Sequence, residues 1–86
     1  MKIIVAKRSG LDGVAYINAD KINSWLAEEN KYDKRVETRI YFAEGRCEIE
    51  GDQTQRILDF LMTDDNSGVL DLTTDQKKSW WNKEHK

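Results

Sequence analysis

The chain has 86 residues, 38% of them apolar and 35% charged, with a net charge of −2. That is room for one domain, residues 1–86, burying only roughly 60–65% of its unfolded surface. One cysteine excludes a disulfide scaffold, no apolar run approaches the ~20 residues of a membrane span, and a charge of −2 points to no partner by itself.

The charge is unevenly spread. Residues 1–43 carry a net +2, residues 44–65 a net −5 and residues 66–86 a net +1. The chain opens without a signal-peptide pattern, so the expected location is cytoplasmic, with no membrane partner. A homodimer sharing a core is one way for so small a chain to widen its stability margin.

There is no proline, so turns rest on Gly, Asn and Asp. Ile3-Ile4-Val5-Ala6 reads as a strand apolar enough to be covered on both faces. A turn at 9–13 leads to a second strand, Val14-Ala15-Tyr16-Ile17, which Asn18-Ala19-Asp20 breaks. Residues 20–29 fit two templates. Ile22, Trp25 and Leu26 suit a helix capped by Asn18 or Asp20, whereas Ile22, Ser24 and Leu26 alternate as in a strand. A polar connection follows at 30–35.

Residues 36–50 read as a β-hairpin. Val36, Thr38, Ile40 and Phe42 alternate with Glu37, Arg39, Tyr41 and Ala43, and Glu44-Gly45 is the expected two-residue turn. Pairing about that turn sets Phe42 against Cys47 and Ile40 against Ile49 inside. Outside, Tyr41 meets Glu48 and Arg39 meets Glu50.

Asp52 is the expected N-cap of a helix over about 52–63, with Gln55 completing a capping box. Its expected buried stripe is Ile57, Leu58, Leu61 and Met62, with Phe60 on the flank. Residues 64–68 stop the helix, Val69-Leu70-Asp71-Leu72 fits a short edge strand, and Thr73 or Thr74 starts a short C-terminal helix through Lys83. The fold class is α+β: a small, mostly antiparallel sheet with one packed helix and that C-terminal helix.

Catalytic and metal chemistry find no foothold. His85 is the only histidine and stands one residue from the end. Cys47 faces inward, where a thiol behaves as a small hydrophobe. Asp64, Asn66, Gly68 and Asp75 imitate a calcium loop but put Val69 where glycine is required. No phosphate loop, nucleophile motif or paired CxxC occurs. The chain therefore reads as a non-enzyme, with no catalytic residue, metal or cofactor.

Two surfaces remain. The acidic third puts Glu44, Glu48 and Glu50 on an outward strand face and turn, where they suit docking on a basic protein surface. Near the C-terminus, Trp80 and Trp81 lie about 100° apart on a helix, so one of them is a candidate interface residue. The same segment, with Lys77, Lys78 and Lys83, mixes charge and rings as single-strand binders do. The balance of charge disfavours nucleic acid overall.

Residues 14–61 also have a familiar order: Tyr16-Ile17-Asn18-Ala19-Asp20-Lys21-Ile22, then the hairpin through Glu44-Gly45, then a capped helix ending Ile57-Leu58-Asp59-Phe60-Leu61. This resembles the small flagellar FlbD-type proteins and short uncharacterised prophage proteins of Gram-positive bacteria. The resemblance implies a strand over 22–29 and a bacterial, phage-linked setting. The chain departs from the pattern in its longer connection at 30–35 and an added tail at 64–86. The expected function is a small interaction module that binds another protein, in the style of phage accessory proteins or defence inhibitors. The alternative is a nucleic-acid binder using the C-terminal Lys/Trp segment.

Overall fold

A computed structural model describes residues 1–63 and 67–73. The expected C-terminal helix, with Lys77, Lys78, Trp80, Trp81 and His85, lies outside them. Among the described residues no helix is long and apolar enough to cross a membrane.

The fold is α+β, with strands dominant. The expected single sheet is instead two three-stranded sheets. The first joins β1 (Lys2–Lys7), β2 (Val14–Asn18) and β6 (Gly68–Asp71) in the order β2-β1-β6. There β1 runs antiparallel to β2 and parallel to β6. The second joins β3 (Ser24–Glu29), β4 (Val36–Phe42) and β5 (Gly45–Glu50), all antiparallel, in the order β3-β4-β5. One helix, α1 (Thr54–Leu61), connects β5 to β6.

The inner faces of both sheets meet in one core of Ile4, Ala6, Ile17, Ala19, Ile40, Ile49, Ile57 and Leu72. The end of β1 stitches the sheets together. Arg8 makes a bridge with Ile49, and the Ser9 amide donates to the Glu48 carbonyl at 2.9 Å.

Residues 20–29 resolve in favour of the strand. Asn18 accepts from the Asp20 amide at 3.0 Å, a single 3-10 turn covers Ala19–Lys21, and β3 begins at Ser24. Six rungs of pairing to β4 hold β3 extended, and Trp25 packs on the core. Local i, i+3 spacing yields to that ladder.

The hairpin has the expected faces but a different register. Phe42 pairs with Gly45, Ile40 with Cys47, Arg39 with Glu48 and Thr38 with Ile49. The turn is therefore Ala43-Glu44, and every expected partner moves by two residues. A slip of two preserves which face each side chain occupies, so Ile40 and Ile49 are both buried, as diagonal neighbours.

Helix α1 starts and turns differently from expectation. Asp52 is not the N-cap. Its Oδ1 accepts from the Thr54 amide at 3.1 Å and the Thr54 hydroxyl at 2.6 Å, a local turn before the first helical residue. Gln55 reaches forward to Asp59 Oδ1 at 3.0 Å, so no capping box forms. Ile57 is buried and Phe60 and Leu61 pack against the core, whereas Leu58 and Met62 are exposed. The buried stripe is rotated from the one expected.

Two anchors impose that rotation. At the N-terminal end, Thr38 sits fully buried on β4. Its hydroxyl donates to the Gly51 carbonyl and accepts from the Gln53 amide, both at 2.7 Å. Gly51 turns the chain there with φ +79°, a conformation glycine adopts freely. Trp25 Nε1 adds a bond to the Thr54 carbonyl at 3.1 Å.

At the C-terminal end the anchor is Lys2, buried on β1. Its Nζ donates to the carbonyls of Phe60 (2.9 Å), Leu61 (3.3 Å) and Thr63 (3.0 Å) and to Thr63 Oγ1 (3.0 Å). It also lies 5.4 Å from the Phe60 ring centre. A cation thus meets the negative end of the helix dipole and its orphan carbonyls. The helix is tied to the second sheet at one end and to the first sheet at the other.

Candidate functional site: the outer face of the second sheet

The register of β3-β4-β5 lays out three rows across the outer face. They are Ser24–Tyr41–Arg46, Leu26–Arg39–Glu48 and Glu28–Glu37–Glu50. The last row puts three glutamates side by side. Like charges directly opposite one another on a sheet are destabilising, so this row is not what optimises a free-standing sheet. Four carboxylates against Arg39 and Arg46 leave the three rows at −2.

Arg39 carries most of the compensation. Its guanidinium contacts Glu28 at 2.8 Å, Glu37 at 3.3 Å and Glu48 at 3.4 Å. The Tyr41 hydroxyl, more than Glu28 and Glu37, holds this guanidinium above its usual range against desolvation. Glu37 is the most enclosed of the row, with its other oxygen accepting from Ser9 Oγ at 2.9 Å. Glu48 is half-buried and shared with Arg46 at 3.1 Å. Glu50 is exposed at the end of β5.

The connection between β3 and β4 rises beside this row. Glu28, Glu29, Asn30, Lys31, Tyr32, Glu37 and Arg39 line a shallow cavity of about 330 Å³. Asn30 Oδ1 accepts from the Tyr32 amide at 2.8 Å, and Lys34 turns the chain with φ +64°. Tyr32 projects almost fully into solvent at the rim.

The structure brings together only part of the expected acidic surface. Glu44 is in the hairpin turn, with the full length of β5 between it and Glu50, roughly 20 Å. Glu48 is on the face but neutralised. Glu50 is on it and exposed. Trp80 and Trp81 lie outside the described residues. The sequence reading missed Glu28 and Glu37, which stand outside the acidic third and join Glu50 only through the β3–β4 and β4–β5 registers. The alternation of Glu28 with Leu26 was the available signal, had β3 been assigned as a strand.

Cys47 faces the core side of β5, and burial, reinforced by Glu48 against Arg8, pushes its thiol up. That is the opposite of an activated nucleophile. Among the described residues no group of three His, Cys, Asp or Glu side chains is arranged to hold a metal ion. What the outer face can do chemically is accept hydrogen bonds from cationic groups.

Compared with protein-family models, with curated protein sequences and with solved structures, the chain matches none.

Proposed function

We propose that this protein is a non-enzymatic interaction module that docks the outer face of β3-β4-β5 on a basic surface of another protein. The Glu28–Glu37–Glu50 row carries the reading. Arg39 compensates Glu28 and Glu37 within the sheet, Glu28 and Glu50 stand exposed at the two ends of the row, and a partner's lysines or arginines would add to that compensation. Arg39 supports the reading, since one guanidinium touches three of the face's carboxylates within the chain. The setting we propose is a bacterial cytoplasm, with the protein acting as a phage or prophage accessory factor. A basic nucleic-acid channel of a defence enzyme is the kind of surface such a face would block.

The test is affinity capture with the full chain and with a Glu28→Lys/Glu50→Lys variant, at 50 and 300 mM salt. The true partner binds the wild type, leaves with salt and is lost from the variant. Equal capture by both proteins overturns the reading. In parallel, fluorescence anisotropy with labelled DNA and RNA should show no binding tighter than about 10 μM at ~150 mM salt. Micromolar binding that falls with salt and is lost in Trp81→Ala would favour the nucleic-acid alternative.

A further inference from the structure

The first sheet poses a different problem. Its inner face carries Lys2, Ile4, Ala6 and Ile17, and its outer face is set by the same registers. Ile3 stands between Val69 and Asn18, Val5 between Asp71 and Tyr16, and Lys7 beside Val14. Five apolar side chains, Ile3, Val5, Val14, Tyr16 and Val69, therefore share one outer surface. Tyr16 is 76% exposed, Val69 65% and Val14 41%. Ile3 and Val5 do not join the core cluster.

An antiparallel sheet with one solvated face normally alternates apolar with polar residues. Wholly parallel sheets are found where both faces are covered, whereas this one is mixed, with β1 antiparallel to β2 and parallel to β6. Ile3-Ile4-Val5-Ala6 is the sequence of a strand covered on both faces, and among the described residues the core covers only one. Among the described residues strand β2 is also an edge, and Val14–Asn18 holds no charge and no proline.

We infer that the outer face of β2-β1-β6 is the interface of a symmetric homodimer, two copies packing these sheets face to face. Self-complementarity selects a second copy as the occupant. A two-fold interface brings each patch against itself, so a charged patch repels its twin and a neutral apolar one does not. The acidic face of the second sheet fails that condition. The five side chains here meet it, with Lys7 and the Thr73-bound carboxylate of Asp71 at the rim.

The area is adequate for a modest dimer. Their exposures, scaled by residue areas of roughly 150–250 Å², give on the order of 400 Å² of apolar surface, in the range of the largest patch on a typical monomer, which is often functional. A polar rim brings this to the low end of the ~600–800 Å² per partner of specific complexes, the range of weak, concentration-dependent association. The acidic face stays free in such a dimer, because the two outer faces point away from one shared core.

Sedimentation velocity on the full chain from 5 to 500 μM tests this. The expected result is a concentration-dependent shift from the 10.1 kDa monomer to a dimer. Tyr16→Arg/Val69→Arg should weaken it at least tenfold, and Tyr32→Arg should leave it unchanged. A wild type that stays monomeric throughout overturns the inference, since a face covered by another segment or kept for a foreign protein gives that result. So does a dimer indifferent to the double variant. Should that variant fail to fold, amide NMR of the wild type on dilution decides. Shifts must concentrate at Ile3, Val5, Val14, Tyr16 and Val69, and shifts centred on Glu28 and Glu29 instead would refute the interface.

Discussion

Replacing Lys2 with methionine tests the most specific energetic feature of the fold. The substitution keeps an unbranched apolar stem and removes the ammonium. Four acceptors lose a donor: the carbonyls of Phe60, Leu61 and Thr63 and the Thr63 hydroxyl. The Phe60 carbonyl retains the Thr63 hydroxyl, which donates to it at 2.8 Å. The Leu61 and Thr63 carbonyls keep none of these bonds, and hydrogen bonds to charged groups contribute about 1.5–3 kcal/mol each. The ammonium no longer has to be desolvated, and water reaches part of the site, so the net loss should be near 2 kcal/mol. A domain of this size then melts roughly 8–16 °C lower. Urea unfolding at pH 7 followed by circular dichroism measures the change, with Lys7→Met, at the exposed end of β1, as control. A loss below about 0.5 kcal/mol, or an equal loss in the control, would mean that Lys2 is packed there without anchoring the helix.

Thr38→Val should cost about 1–3 kcal/mol, because the Gly51 carbonyl and Gln53 amide lose their common partner, while Thr38→Ser should recover most of it; chemical denaturation of both distinguishes a hydroxyl effect from a methyl effect. Ile40→Ala should cost about 2–4 kcal/mol, since Ile40 is fully buried between Trp25 and Cys47, and a loss under 1 kcal/mol would put it outside the core. The Thr54 hydroxyl and amide hold the Asp52 carboxyl below its usual range. A depressed folded-state pKa stabilises above the unfolded value and is lost as pH falls, so the melting temperature should drop between about pH 5 and pH 3, and less steeply in Asp52→Asn; parallel slopes would remove Asp52 as a cause. The Cys47 thiol, raised by burial, should alkylate at pH 8 at least about tenfold more slowly than a free thiol, and reaction at the free rate would contradict its inward placement.

The parts of this fold legible in the sequence are those where one physical constraint dominates. Alternation with period two assigns Thr38, Ile40, Cys47 and Ile49 to one face. It cannot distinguish Ile40 opposite Ile49 from Ile40 opposite Cys47, because a slip of two leaves every face unchanged. Only the turn decides that, and Ala43-Glu44 carries weaker signals than Glu44-Gly45. The helix was legible as a segment but not in phase. Apolar residues at 57, 58, 60, 61 and 62 fit more than one stripe, and the choice was made by Thr38 and Lys2, distant in sequence. Lys2 itself gave no signal, since a lysine beside an apolar strand reads as a surface residue. The glutamate row needed two strand registers at once, and one of them involved a strand whose residues also fit a helix.

Neither outer face is what stability alone would select. A salt-bridged face with alternating signs would replace Glu28–Glu37–Glu50, and threonine or lysine would replace Val69 and Tyr16. The two departures are also of opposite kind. The acidic row repels its own copy and attracts cations, so it suits a foreign partner and a salt-sensitive encounter. The apolar face is indifferent to salt to first order and carries no sign to select a foreign charge, so it suits a copy of itself. If both readings hold, charge reversal at Glu28 and Glu50 abolishes capture and leaves sedimentation unchanged. Tyr16→Arg/Val69→Arg does the reverse at each acidic face, weakening capture only as far as two faces in one dimer had bound jointly. Crossed effects, with the glutamate variant dissociating the dimer, would show that the two faces are one interface.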